Sequence, residues 1–536
     1  MSVAAGKARR GRPGAVRRTG LPASLTPALT ERLTRRVTAG PDAERRSTYA
    51  PFNGELIAEL PQSTEQDVIT AYTVARQAQS QWARTPVKAR AQIFLRYHDL
   101  VLDRQNEVLD LIQVENGKAR QDAFLEAAEN GMVSRYYARC APALLRPRRR
   151  RGMIPGLTST IEMHHPKGVV AVISPWNYPL TLAAGDAIPA LLAGNAVVHK
   201  PDIQTALTAL WAADLLHEAG LPEGLWQIVL SSGRTLGTPL VDNADYLMFT
   251  GSTNTGRQLA KDAGGRLIGS SLELGGKNPM IVLDDANLNR AVEGAVRACF
   301  SSTGQLCISM ERLYVHAAIY DEFKKRFVER VKRMRLGAAY DYSCDMGSLT
   351  TQRQLDTVSA HVEDAKAKGA TVLAGGRARP DLGPLFYEPT VLTNVSPDMI
   401  CYGQETFGPL VSVYRFSDVE QAIARANDSP YGLNASLWTR DAQRGQSVAA
   451  RLHTGTVNIN EAYVPGWGSM DAPMGGMRDS GLGRRHGAEG LLKYTEAQTV
   501  VRQRLMNLAP PKGVSQKAFA KVMTTSLKTI KRARLK

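Results

Sequence analysis

No stretch of this 536-residue chain approaches the ~18 consecutive apolar residues of a membrane span, so a transmembrane bundle is excluded. The first 36 residues also lack the apolar core of a secretory signal, despite the pairs Arg9-Arg10 and Arg17-Arg18. Cysteine is scarce: five in all, an odd number, with no CxxC and no Cys/His pair at zinc spacing. That argues against a disulfide framework and a zinc module, and makes reduced thiols in a cytoplasm the expectation. There is no internal repeat and no low-complexity block. With 43% hydrophobic and 22% charged residues, 46 Gly and 28 Pro, the chain is neither disordered, nor collagenous, nor a coiled-coil rod. At ~100–200 residues per domain, two to four domains are expected.

Negative charge is in deficit. Lys and Arg number 67 against 50 Asp and Glu, a net charge of +17 that could suit nucleic acid. Its location removes that reading. Residues 1–36 hold Lys7, Arg9, Arg10, Arg12, Arg17, Arg18, Arg32, Arg35 and Arg36 against Glu31 alone. Residues 512–536 hold Lys512, Lys517, Lys521, Lys528, Lys531, Arg532, Arg534 and Lys536 with no acid. The body between the two ends is close to neutral, the run Arg146 and Arg148–Arg151 excepted, and nucleic acid is not an expected partner. The first segment has the composition of a mitochondrial transit peptide, but Gly11-Arg12-Pro13-Gly14 interrupts any amphipathic helix; a disordered basic tail over 1–39 is the expectation. At the other end Phe519, Val522, Met523, Leu527 and Ile530 recur at helical spacing among lysines. They predict a basic amphipathic helix, suited to an anionic membrane, a neighbouring subunit or solvent.

From Ser63 or Thr64 the pattern is helical, with Val68, Ala71, Tyr72, Ala75 and Ala78 at threes and fours, and it continues to about Cys140. The segment 143–167 reads as a projecting hairpin, and a strand around 494–504 as its partner. At Gly168 the chain turns to alternating short apolar strands and helices: 169–173, 196–200, 226–230 and 246–249, in units of about 25–30 residues. That is the pattern of a doubly wound α/β sheet, whose ligands sit at the carboxyl ends of its strands. A second α/β region runs from about 275 to 465.

Three segments carry chemistry. In Ser301-Ser302-Thr303-Gly304-Gln305-Leu306-Cys307 a thiol follows a Gly turn between helix and strand, where it can face a cleft; a small buried hydrophobe is the other reading. In Leu272-Glu273-Leu274-Gly275-Gly276-Lys277 a carboxyl flanked by leucines is set to have its pKa raised towards the range of a general base, or else to bond a turn. In Ile173-Ser174-Pro175-Trp176-Asn177 the amide can serve an oxyanion, or merely a turn. A nucleophile, a base for water and an oxyanion donor together make a thiol mechanism.

The order and spacing of these segments resemble the aldehyde dehydrogenase superfamily over about residues 40–505. So do Lys200-Pro201, Phe249-Thr250-Gly251-Ser252, Glu405-Thr406-Phe407-Gly408-Pro409, Gly455-Thr456-Val457-Asn458 and Pro473-Met474-Gly475-Gly476. The resemblance implies a Rossmann-like cofactor domain (40–142 and 168–274), a second α/β catalytic domain (275–467), a small β oligomerisation element (143–167 and 490–506) and a basic tail (507–536). It makes Cys307 the nucleophile, Glu273 the base that activates water on the thioester, and Asn177 with the Cys307 N–H the oxyanion site. The family's CoA-acylating relatives typically lack that Glu, so release of a free acid is implied. To the cofactor the resemblance gives Ser174, Trp176, Asn177, Lys200, Pro201, Asp202, Ile203, Gly233, Gly251, Ser252, Leu274, Glu405 and Phe407, with no metal. Family members that prefer NAD usually carry Glu where Ile203 stands. Its absence favours NADP, although Asp202 keeps some negative charge nearby and NAD stays open.

With Tyr246-Leu247-Met248-Phe249-Thr250-Gly251-Ser252, Gly304-Gln305-Leu306-Cys307-Ile308-Ser309 and Gly483-Arg484-Arg485-His486-Gly487, the sequence also resembles the actinobacterial succinate-semialdehyde dehydrogenases. Familiar family members that act on succinate semialdehyde use two arginines for its distal carboxylate, and their positions here are Ser301 and Gly185. Arg312 and Arg478 are candidate substitutes, and a general aliphatic or aromatic aldehyde is the alternative substrate. Cys299, the pair His164-His165, and His217 are expected to be structural, while Arg484-Arg485-His486 is expected to cap or to meet a neighbouring subunit. A homodimer or homotetramer is implied.

Overall fold

The computed structural model describes residues 19–153, 158–504 and 509–532. The expected disorder of the first 18 residues, and the turn at the tip of the hairpin, lie outside the described residues. The described chain forms two compact units, one of residues up to 144 and 166–495, the other of residues 145–165 and 496 onward.

The first unit holds two α/β sheets. In the smaller, the strands lie in the order Gly481–Leu482, Gly269–Glu273, Tyr246–Thr250, Val169–Ser174, Ala196–Pro201, Trp226–Ile228. The last five are parallel and the first is antiparallel. The chain enters at Val169–Ser174, builds outward to one side, then returns to build the other. This reversal opens a crevice at the carboxyl ends of the central strands. These strands are nearly all-apolar because helices cover both faces: Val169, Val170, Ala171 and Val172 are wholly buried. The larger sheet has seven strands, Thr371–Ala374, Thr390–Thr393, Leu410–Phe416, Met310–His316, Asn278–Val282, Asn434–Trp438 and Thr456–Ile459, parallel but for the first. The short strand Gly481–Leu482, beyond the expected catalytic segment, crosses back to pair with Leu272 and Glu273.

The helix Glu65–Trp82 opens with a capping box in which Thr64 and Asp67 satisfy each other's backbone N–H, and it buries Val68, Ala71, Tyr72 and Ala75. Ser63 is not the cap; its hydroxyl donates to the Thr38 carbonyl. The expected basic tail is corrected from residue 19 onward. Pro27–Thr34 is a helix, capped by Thr26, that buries Leu29 and Leu33, and Arg32 and Arg36 both pair with Asp214. Two leucines four apart behind a Thr-Pro start outweigh the high charge. The start of the hairpin is also later than expected. The helix Arg120–Leu144 runs past Cys140 and carries Pro142 within it.

In the second unit the strands Thr495–Gln503, Thr158–Pro166 and Arg148–Arg151 form a three-stranded sheet in that order. Arg150 pairs with Glu162 at 2.5 Å. The unit also holds the expected helix, Gln516–Arg532, none of whose residues is buried. Among the described residues no helix is long and apolar enough to cross a membrane.

Candidate active site

Strand order decides what lies along the crevice. Read across the carboxyl edge of the smaller sheet, the strand ends present Glu273, then Gly251-Ser252, then Ser174 to Asn177, then Lys200 to Ile203, then Ser231 to Gly233. These groups come from five separate strands. A dinucleotide laid along this edge would meet them in turn.

Cys307 follows a short helical turn, Ser301–Gly304, in which Ser302, Thr303 and Gly304 all take left-handed backbone (φ 50°, 59° and 69°). For the two residues with side chains this is strained, and it persists only because the surroundings enforce it. Asp122 accepts the Ser302 N–H at 2.9 Å, the Ser302 hydroxyl donates to Tyr178 Oη at 2.8 Å, and Thr350 N–H donates to the Gln305 side chain at 3.0 Å. A Cβ on Gly304 would lie 2.1 Å from the Gly408 carbonyl oxygen, so the turn needs glycine there. The Cys307 carbonyl accepts from Asn278 Nδ2 at 2.8 Å. Partly exposed, the thiol has its pKa pushed up to about 12 by desolvation and by the carboxylates of Glu273 and Glu405. At rest it is a thiol, and it needs a proton acceptor to become a nucleophile.

Asn177 donates its side-chain amide to the Gln305 carbonyl at 3.1 Å, two residues before Cys307. Its own carbonyl accepts from Lys118 Nζ at 2.6 Å. Lys118 is wholly enclosed with Glu126, 2.6 Å away, and the other oxygen of Glu126 accepts the N–H groups of Leu180 and Thr181. One buried ion pair thus fixes both the Asn177 backbone and the start of the helix Pro179–Leu192.

Glu273 ends its strand buried, with its pKa raised to about 7, mainly by desolvation, against the lowering fields of Arg485 and Lys493. A Cβ on Gly475 would stand 3.0 Å from its carboxylate, so only glycine leaves that room. Arg485 is ion-paired with the buried Asp186, and Arg485 and His486 point inward, beside Glu129 and Lys493; His486 stands at the N-cap of the helix Gly487–Leu492, as the expectation of a cap at 484–486 allowed. Arg484 donates to the carbonyls of Gly476 and Gly483.

The sites expected for a cofactor divide into two groups. Glu405 accepts the Gly276 N–H at 2.8 Å, and burial lifts its pKa to about 8. Phe407, with φ 55°, meets Trp176 edge-on at 5.6 Å. Their loop is held by Glu311, which accepts the N–H groups of Thr406 and Phe407 and pairs with Lys277. At the other end Lys200, Asp202, Ile203 and Gly233 line a cavity of about 290 Å3. The strand Tyr246–Thr250, next to the one that ends at Ser174, leads into the helix Thr253–Gly265, capped by Ser252. Gly251 has the Phe249 ring 2.5 Å from where a Cβ would be, and Leu274 packs where a Cβ on Gly256 would be. A slot at one end, a helix N-terminus and a cavity at the other fit a dinucleotide. Pro201 is buried at its strand end. The Ser174 hydroxyl is buried against His199 Nε2 at 2.8 Å.

A family model of aldehyde dehydrogenases matches residues 38–500. The chain belongs to the aldehyde dehydrogenase family. It is accordingly an NAD(P)-dependent oxidoreductase of aldehydes. A Mycobacterium ulcerans protein provisionally named succinate-semialdehyde dehydrogenase (NADP(+)) 2 is 54% identical over 479 residues, 89% of this chain and 92% of the relative. A Mycolicibacterium smegmatis protein with a similar provisional name is 54% identical over 481 residues, 90% of this chain and 93% of its own. Among solved structures, succinate-semialdehyde dehydrogenase from Burkholderia pseudomallei has a TM-score of 0.83 at 33% identity, covering 87% of this chain and 96% of that one. Betaine aldehyde dehydrogenase from Staphylococcus aureus, in complex with NAD+, has 0.83 at 30%, covering 91% and 100%.

Some residues that build the site were not marked by motif. Asp122, Glu126 and Glu129 lie on one face of the helix Arg120–Leu144, and all three are buried. Acids at i, i+4 and i+7 among small apolar residues were a readable signal. Arg485 and Asp186 gave none, being 299 residues apart. The candidate carboxylate ligands are spent elsewhere: Arg312 donates to the carbonyls of Lys277, Arg425 and Ala426, and Arg478 to those of Asn427 and Ser429.

Proposed function

We propose that this enzyme oxidises succinate semialdehyde to succinate with NADP+ in the cytoplasm, Cys307 acting as nucleophile, Glu273 as base and Asn177 as oxyanion donor. The observation that carries the mechanism is the setting of Cys307, with Asn177 bonded to its loop and a carboxyl of pKa about 7 close enough to raise the thiol. The Cys307 thiol passes its proton to solvent water as its sulfur adds to the aldehyde carbon, while the new oxyanion is met by the Asn177 amide and the Cys307 N–H. The cofactor supplies the hydride acceptor. The remaining thioester is attacked by a water whose proton passes to Glu273, and collapse of that adduct returns the Cys307 sulfur and releases the acid. Lys200 and Gly233 would hold the adenosine end, Gly251 and Ser252 the pyrophosphate, and Trp176, Glu405 and Phe407 the nicotinamide end. The names of the mycobacterial relatives support the substrate and NADP, and the apolar Ile203 supports NADP by leaving the cavity without a second carboxylate.

An uncharged aldehyde is the second reading. Cys307 packs against an apolar cluster that includes the aromatic residues Tyr178, Tyr463 and Trp467, and Ser301 and Gly185 offer no cation. Steady-state kcat/KM for succinate semialdehyde against butyraldehyde, each with NADP+ and NAD+, separates the two readings. A preference for butyraldehyde would displace the semialdehyde.

A homo-oligomer, dimer or tetramer, is supported by the strand Thr495–Gln503, at the edge of its sheet and mostly exposed. For the helix Gln516–Arg532 the reading is contact with an anionic membrane surface. Val522 and Leu527 are 62% and 63% exposed among Lys517, Lys521, Lys528 and Lys531, with no acid. Sedimentation with anionic vesicles, full chain against one ending at 511, tests this; equal binding by both, or none by either, refutes it and leaves packing on a neighbouring subunit.

A further inference from the structure

The cavity of about 290 Å3 beside Lys200 has a wall from a distant part of the chain: Arg46, Ser47 and Thr48. They are consecutive in the strand Arg45–Tyr49. That strand is tied to the cavity rim by Gln204, whose side-chain amide donates to the Tyr49 carbonyl at 3.0 Å and to the Glu115 carbonyl at 2.8 Å. Glu115 in turn is buried and accepts the N–H groups of Leu207 and Thr208 at the start of the helix Ala206–Glu218. The strand is therefore anchored where it passes the cavity.

The charges of this wall are unbalanced. Arg46 is exposed and forms no ion pair and no side-chain hydrogen bond among the described residues. Lys200 stands buried in the same lining. The one carboxylate there, Asp202, accepts the Gln204 N–H at 2.9 Å and caps the turn Ile203–Thr205, so it is held by its own backbone. Ile203 brings no charge, and Ser232 and Gly233 bring none. Among the described lining residues, two cations against one engaged acid make this end of the crevice an anion site, and its free group is a guanidinium, whose planar fork matches a phosphate bidentately.

We propose that Arg46 is a specificity-determining residue that receives the 2′-phosphate of the cofactor in this cavity. The proposal rests on the NADP reading. Lys200 supplies the second cation, and Arg46 adds the discrimination, because NAD presents only a hydroxyl at that position and has nothing for the guanidinium to pair with.

Calorimetric titration of the full-length protein with 2′,5′-ADP and with 5′-ADP tests this without turnover. The parent should bind 2′,5′-ADP more tightly. In Arg46→Ala the Kd for 2′,5′-ADP should rise about tenfold or more, the Kd for 5′-ADP should stay within about twofold, and Arg46→Lys should lie between. If the parent prefers 2′,5′-ADP and Arg46→Ala keeps the whole preference, Arg46 is not the phosphate ligand. If the parent binds the two alike, the NADP reading falls and the proposal with it.

Discussion

Replacing Glu273 by Gln keeps the shape of the side chain and removes its ability to take a proton. Burial holds the Glu273 carboxyl at about 7. With that midpoint about 9% of it is ionised at pH 6 and about 91% at pH 8, so a step that needs the carboxylate should speed up about tenfold between them. The sign follows from the role: a base works deprotonated, so thioester hydrolysis rises with pH and levels off above about 8. The Gln variant should lose this limb and fall by about 10²–10⁴ in steady-state rate, the usual worth of a positioned general base. Its first turnover should survive, since sulfur addition and oxyanion binding use Cys307 and Asn177. Stopped-flow absorbance of the reduced cofactor then shows a burst approaching one equivalent per site, followed by a slow phase. Arg485 supplies a consistency check, because its field lowers the Glu273 pKa. In Arg485→Gln the pH limb should move upward. A Glu273→Gln enzyme that turns over at the parental rate, or a parental limb that falls as pH rises, would refute the assignment.

Cys307→Ala should abolish turnover while leaving the Kd for NADP+ unchanged, measured by quenching of tryptophan emission; residual turnover above background would point to another nucleophile. Ile203→Glu places a carboxylate in the cavity of Lys200 and Asp202 and should weaken NADP+ relative to NAD+ by ~1–3 kcal/mol, read as the ratio of kcat/KM; an unchanged ratio removes this position from the argument. Glu126→Gln leaves the enclosed Lys118 without its counter-charge and should cost about 3–5 kcal/mol in urea unfolding. A midpoint equal to the parent's would mean that Lys118 and Glu126 are not ionised in the folded protein.

The crevice shows where sequence suffices. Short all-apolar strands separated by helices fix a buried parallel sheet, because a strand covered on both faces has no polar alternation to keep. Its ligand edge was therefore predictable, and so were Lys200 and Gly251 on it. Local chemistry was equally legible in the capping box at Thr64 and Asp67 and in the amphipathic spacing of residues 516–532. Local composition also misled. The charge of the first 36 residues hid the helix Pro27–Thr34, whose two buried leucines and distant partner Asp214 only the fold brings together.

The sequence by itself determined the sheet grammar, the thiol, the carboxyl and the amide, since each is a property of a segment of a few residues. Tertiary structure decided what those groups are worth. The raised pKa of Glu273 comes from burial set against Arg485 and Lys493, the inward turn of Arg485 from Asp186, and the free guanidinium of Arg46 beside Lys200 from a strand more than 150 residues away. Each depends on distance between remote parts of the chain, and electrostatic energy and desolvation are functions of that distance and of the surrounding dielectric, which residue order alone does not contain.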